Sequence, residues 1–213
     1  MRVLFLKDAS TGRRSFSAGD VVTLDADELI ASLHTGVVRL IGPAGMWEDH
    51  MFPAQATNPG GLSNPPTWDE THIGWSFPHT ADKTMQIVYQ CSHSWVEGSP
   101  LNPHIHMKTV GASTDKTITF TFKWRRARAN SGVYSDWVTE TDVTVDVPAA
   151  EGSSFILPFA EIDMTSYKVS SMLDFEISRK TGGGTDLGAA IIWKQFDVHR
   201  LVDSFGSGEE WVK

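Results

Sequence analysis

The sequence predicts a mainly β protein: an antiparallel β-sandwich, jelly-roll-like, with a small N-terminal β-rich module that contains one short helix. Three observations predict it. Ile118, Phe120, Phe122 and Trp124 alternate with Thr117, Thr119, Thr121 and Lys123, the period of a half-buried strand. Turn signals separate about eight strand-like runs at the spacing of a sandwich. After residue 67 no periodicity supports a helix longer than about two turns; residues 158–164 are the one stretch where a short helix would fit. The chain has 213 residues, 40% of them hydrophobic, with eight tryptophans and eleven phenylalanines, enough to fill a core.

The elements follow in order. Val3 and Phe5 mark a first strand, residues 11–14 a turn, Ala18-Gly19-Asp20 a second turn, and residues 21–24 a short strand. Asp25 is a good helix N-cap, and Glu28 three residues later completes a capping-box-like pattern. The helix would cover residues 26–34, with Leu29, Ile30 and Leu33 on one face and Gly36 in the left-handed position that ends it. Residues 37–41 close this module. Domain boundaries are set at 1–45 for the module, 46–66 for a Pro/Gly-rich linker and 67–213 for the sandwich. The linker shows no periodicity, but Met46, Trp47, Met51 and Phe52 are too apolar for a free tether. Part of it is expected to pack on this chain or on a partner. Strands are expected at 71–77, 84–95, 102–110, 116–125, 136–145, 153–159, 168–178 and 187–201, with a glycine hairpin tip at 182–184.

Bulk properties narrow the function. A net charge of −8 argues against nucleic acid as a partner, because such binding needs a basic face to displace counterions. No apolar run is long enough to span a bilayer, and residues 1–7 lack the pattern of a signal peptide, so synthesis in the cytoplasm is expected. Cys91 is the single cysteine, so no internal disulfide can form. It follows Met85, Ile87 and Tyr89 at period 2, which marks an inert core thiol rather than a nucleophile.

The candidate chemistry is sparse. His104 and His106 are the one close histidine pair; on a strand, residues i and i+2 share a face, so both rings could approach one metal ion. Gly98, five residues, then His104-Ile105-His106 is similar to the opening of the first cupin motif. The glutamate of that motif is missing, since Val110 and Gly111 occupy its positions; Asp115 falls in a turn, and His199 could serve only as a distal histidine without its usual frame. The expectation is therefore no metal and no cofactor, with His104 and His106 the candidates if a metal is bound, and otherwise hydrogen-bonding within the sandwich or at a subunit interface. Carboxylates cluster in ETDVTVD (140–146) and at Glu161 and Asp163, but nothing singles out a glycosidase pair. No nucleophile elbow or phosphate-binding loop occurs, and KTGGG (180–184) lacks the P-loop order. The expectation is that the chain is not an enzyme. Trp47, Trp68, Trp75, Trp95, Trp137 and Trp211 could stack on sugars or cover an interface. Lys123, Arg125, Arg126 and Arg128 form either a partner-facing patch or a solvated strand end.

Two stretches carry a resemblance. Residues 3–8, Phe16, 19–24 and 29–38 resemble a small module found at the N-terminus of tailed-phage structural proteins. Trp95-Val96-Glu97-Gly98, residues 102–106, Phe196-Asp197-Val198-His199 and residues 203–207 with the final lysine resemble a set of tailed-bacteriophage virion proteins. Family-like forms usually carry an aromatic after the second histidine and after the last one, where this chain has Met107 and Arg200. The resemblance implies a head decoration or head-fibre component, located on the virion. It would dock on the capsid or another virion protein through its N-terminal module and pair with itself as a homotrimer. It implies no catalytic residues. The alternatives are a tail-associated receptor- or glycan-binding protein and a cupin-like metal-dependent enzyme.

Overall fold

The computed structural model describes residues 2–5, 9–10, 15–17, 19, 21–23, 38–40, 46–57, 59, 63–111, 113–130, 133–140, 142–182 and 185–202. The expected helix over 26–34, the turn at 11–14, Gly183 and Gly184 of the glycine tip, and everything from Asp203 onward, Trp211 included, lie outside them. In the N-terminal module, strands β1 (Arg2–Phe5), β4 (Val21–Thr23) and β5 (Val38–Leu40) form an antiparallel sheet with β1 in the centre. Strands β2 (Ala9–Ser10) and β3 (Ser15–Phe16) pair with each other.

The larger unit is a jelly roll. Its main strands are β8 (Gly74–Phe77), β9 (Lys83–Gln90), β10 (Leu101–Thr109), β11 (Thr117–Ala127), β13 (Val143–Asp146), β14 (Ser154–Pro158), β15 (Met172–Lys180) and β16 (Ile191–Val202). They pair antiparallel as nested couples, β8 with β16, β9 with β15, β10 with β14 and β11 with β13. That is one long ribbon. Rolling it up adds the pairs β10–β16 and β11–β15, which gives two sheets ordered β14-β10-β16-β8 and β13-β11-β15-β9. This is the double Greek key of a jelly roll. Strand β7 (Thr67–Asp69) extends the first sheet, and β12 (Val138–Thr139) pairs with β11 in the second.

The alternation seen in sequence closes the sandwich. Ile118, Phe120, Phe122 and Trp124 of β11, Leu173, Phe175 and Ile177 of β15, and Leu101, Ile105 and Met107 of β10 point into one core with Phe77, Trp95, Trp193, Phe196 and Val198. Each fully buried large side chain contributes about 1.5–3 kcal/mol against exposure, which is why this face sets the register. Phe122 stacks on Phe159 with ring centroids 4.2 Å apart and the planes 10° from parallel.

Several expectations are corrected. Residues 46–53 of the expected linker form strand β6 (Met46–Pro53), paired with β16 over its whole length from Gln195–Pro53 to Val202–Met46. Its period is 2: Phe52 packs on the core cluster, and Trp47 and Met51 face solvent. The turn composition around it, with Pro53 at its end and Gly and Pro on both sides, masked a short strand. The expected strand 71–77 begins only at Gly74 as β8, with a turn before it that joins it to β7, and 136–145 is split into β12 and β13. Residues 158–164 hold no helix, because Leu101 and Ile162 exchange backbone hydrogen bonds there (3.1 and 2.9 Å).

Candidate functional site: a histidine–aspartate cluster on the β10–β16 face

Leu101, Pro103, Ile105 and Met107 of β10 face inward, so Asn102, His104, His106 and Lys108 share the opposite face. The neighbouring strand is β16, which places Asp197 opposite His104 and His199 opposite Asn102. A bulge follows His106, where β16 carries an extra residue. On its far side, β6 sets Asp49 opposite His199 and Met51 opposite Asp197. One face of three adjacent strands thus collects three histidines and two carboxylates.

Their ring and carboxylate atoms converge. The Nε2 atoms of His104 and His106 are 3.1 Å apart. Asp197 Oδ2 lies 3.0 Å from His106 Nε2 and 3.6 Å from His104 Nε2. It also accepts a hydrogen bond from Gln195 Nε2 at 2.9 Å. Asp197 is 2% exposed and His104 6%. The other oxygen, Asp197 Oδ1, is buried without a hydrogen-bond partner among the described residues. Burial pushes the Asp197 carboxyl up, but the contacts with His104 and Gln195 and the charge of His106 outweigh it and hold the group below the usual carboxylate range. It is therefore an anion at neutral pH. His199 leans edge-on against the His104 ring, 4.6 Å between centroids, and contacts Asp49 through Nε2. A cavity of about 370 Å³ opens over the cluster, lined by His104, His106, His199, Asp49, Ile156 and Pro158.

His104 and His106 meet as their spacing predicts. Asp197 supplies the carboxylate that the motif lacks; it lies far downstream in the chain, and strand pairing alone brings it in. The signal was nonetheless in the chain: Gln195, Asp197 and His199 alternate with Phe196 and Val198, so this strand has a polar face that needs company.

No family model matches the sequence, and no curated protein matches it. Among solved structures, the chain is similar to the insecticidal delta-endotoxin Cry8Ea1 from Bacillus thuringiensis, at 11% identity over 72% of this chain and 23% of that one, TM-score 0.35. It is similar to a chain in the structure of the Gx strain of infectious bursal disease virus, at 13% identity over 78% and 33%, TM-score 0.34. A family 11 carbohydrate-binding module from Clostridium thermocellum, in complex with a β-1,3-1,4-mixed-linked tetrasaccharide, matches at 12% identity over 80% and 97%, TM-score 0.28. The chain spans well under two thirds of the first two. At these scores the likenesses carry no argument about function.

The other candidates are placed elsewhere. Cys91 is buried, and burial pushes its thiol up to about 12, which fits an inert core residue. It borders the larger cavity, about 540 Å³, between the edges of β6 and β9, together with His50, Phe52 and His93. Beside it, Arg200 reaches Glu48 Oε2 through Nη2 at 2.7 Å and also contacts Ser92 Oγ. Nothing local in the sequence links Arg200 to Glu48. The acidic clusters are engaged locally: Glu140 accepts from the Ala160 N–H at 3.2 Å, Asp142 from the Thr121 hydroxyl, and Asp163 from Thr165. The basic cluster is paired within the chain. Lys123 bridges to Glu176 at 3.0 Å and Arg125 to Asp174 at 2.7 Å. Arg125 also covers the rings of Tyr134 and Trp137, and Arg126 those of Trp124 and Tyr167. Of the tryptophans, Trp95 is buried in the core, out of reach of a sugar. Trp75 packs edge-on with Trp68 and donates to Ala54 O and Thr57 Oγ1 at 3.1 and 2.9 Å.

Proposed function

We propose that this chain is a non-enzymatic particle component, a tailed-phage virion protein of the head decoration or head-fibre kind, that assembles through its sandwich as a homotrimer. The observation that carries the reading is the outer face of the β14-β10-β16-β6 sheet. There Trp47, Met51 and Ile156 are 53%, 60% and 51% exposed and stand on either side of the histidine–aspartate cluster. Large apolar side chains exposed on one sheet face favour burial against another surface. The sequence resemblance supplies the setting, and the N-terminal module is the part that would dock on the capsid or another virion protein.

Sedimentation of the full chain at micromolar concentration tests it. A trimer is expected, and Trp47→Lys should raise its dissociation constant at least about 10-fold, since an anchoring aromatic contributes more than 1.4 kcal/mol. A wild-type monomer would refute the assembly reading. Because β6 belongs to the sandwich, the chain that should remain trimeric while losing attachment to particles begins at Met46, not at residue 67. The glycan-binding alternative retains Trp47 and Trp137 as exposed tryptophans but loses Trp95.

A further inference from the structure

We propose that His104, His106 and Asp197 form a three-ligand site for a divalent first-row transition metal ion. Their three facing atoms are separated by 3.0, 3.1 and 3.6 Å. These are the edge lengths of one face of a tetrahedral or octahedral coordination shell. An ion about 2.1 Å from each atom would sit about 0.9 Å out of their plane, within the bond lengths that imidazole nitrogen and carboxylate oxygen make to such ions. Two imidazoles and one carboxylate select this class of metal over calcium or magnesium, which prefer all-oxygen shells. The composition is that of a two-histidine, one-carboxylate facial triad.

Two further features point to a cation. Asp197 is an almost fully buried carboxylate whose Oδ2 faces both imidazoles, and a buried anion needs compensating positive charge. The two Nε2 atoms face each other across 3.1 Å, and both face Asp197 Oδ2, so their lone pairs can be directed at one ion. On the same face His199, which contacts Asp49, leans edge-on against the His104 ring. A bound ion ties the central strands β10 and β16 together. Three protein ligands leave at least one coordination position toward the cavity of about 370 Å³, open to water or an exogenous donor.

The test uses the untagged full chain, stripped with a chelator and titrated with Co²⁺ and with Zn²⁺. One equivalent should bind, with visible ligand-field bands for Co²⁺ and a rise in melting temperature on addition of either ion. His106→Ala and Asp197→Asn should each weaken binding by more than the roughly 10–100-fold that follows loss of a supporting partner. His50→Ala, at the other cavity, should leave binding unchanged. If Asp197→Asn does not fold, His106→Ala, at a more exposed position, decides alone. No uptake by the wild-type chain overturns the proposal, and so does undiminished uptake in the folded variants. Trp47→Lys should bind metal as the wild type does, so failure of the metal site and failure of the assembly reading give different results.

Discussion

Arg179 offers the sharpest test of how the sandwich is held together. It is fully buried at the end of β15. Its Nη1 donates to Phe77 O at 2.7 Å and Ala189 O at 2.9 Å, and its Nη2 to Leu187 O at 2.8 Å, with Asp186 Oδ1 at 3.4 Å. One guanidinium thus satisfies three backbone carbonyls, one on β8 and two in the loop entering β16, and so fastens both sheets at this corner. Burial pulls its pKa down and Asp186 pushes it back up, and an arginine stays charged throughout. Arg179→Met keeps most of the volume and removes every donor. Each buried carbonyl left without a partner costs about 1–3 kcal/mol. Removing a buried charge returns part of its desolvation cost, so the net loss should fall in the lower half of the summed range, about 4 kcal/mol. With a urea slope of about 2 kcal/mol per molar, the unfolding midpoint should drop by about 2 M at unchanged slope. Arg179→Lys keeps the charge but not the planar fork, and should lose about half as much. A loss under about 1 kcal/mol in the methionine variant, or a gain, would refute the claim that these carbonyls depend on Arg179.

Two further predictions concern positions where space or charge is tight. A Cβ at Gly74 would lie 2.5 Å from Ile192 Cγ2 and 2.6 Å from Trp193 O, and a backbone oxygen in a central strand does not yield cheaply. Gly74→Ala should therefore cost about 1–3 kcal/mol, read by calorimetry as about 2–4 °C of melting temperature per kcal/mol, and an unchanged melting temperature would show that the strands can part there. Burial pushes the Cys91 thiol up from its ordinary value of 9.0 to about 12. Its neutral form is thus favoured in the native state, a contribution fully present below pH 9.0 and lost as pH rises toward about 12. Through that window it steepens the fall of stability by about 1.4 kcal/mol per pH unit. Urea midpoints measured upward from about pH 8 should fall more steeply for the wild type than for Cys91→Ala, and parallel curves would contradict the assigned burial effect.

The site was half legible. His104 and His106 were visible because two histidines at i and i+2 on a strand must share a face. Asp197 and Asp49 were not, because nothing local links residues 49, 104 and 197. The cupin motif places its carboxylate a few residues beyond the histidines, whereas Asp197 lies across a strand pair. Strand β6 is hidden in the sequence for a related reason. Its alternation of Trp47, Asp49 and Met51 with Glu48, His50 and Phe52 is mixed in polarity on both faces, and only its place beside β16 makes one face inner and the other outer.

Read alone, the sequence determined the class of fold, since period-2 burial of Phe120, Phe122, Leu173 and Phe175 leaves two facing sheets as the way to remove both apolar surfaces from water. It also determined that Cys91 would lie inside, because the same period carries it to the core face. Tertiary structure decided which strands are neighbours, and with that the joining of Asp197 to the histidines, the capture of residues 46–53 by the sheet, and the burial of Trp95 and Arg179. The physical reason is that backbone pairing is nearly indifferent to the side chains it aligns. Register is chosen by the whole core at once, and the polar face inherits whatever company that choice brings.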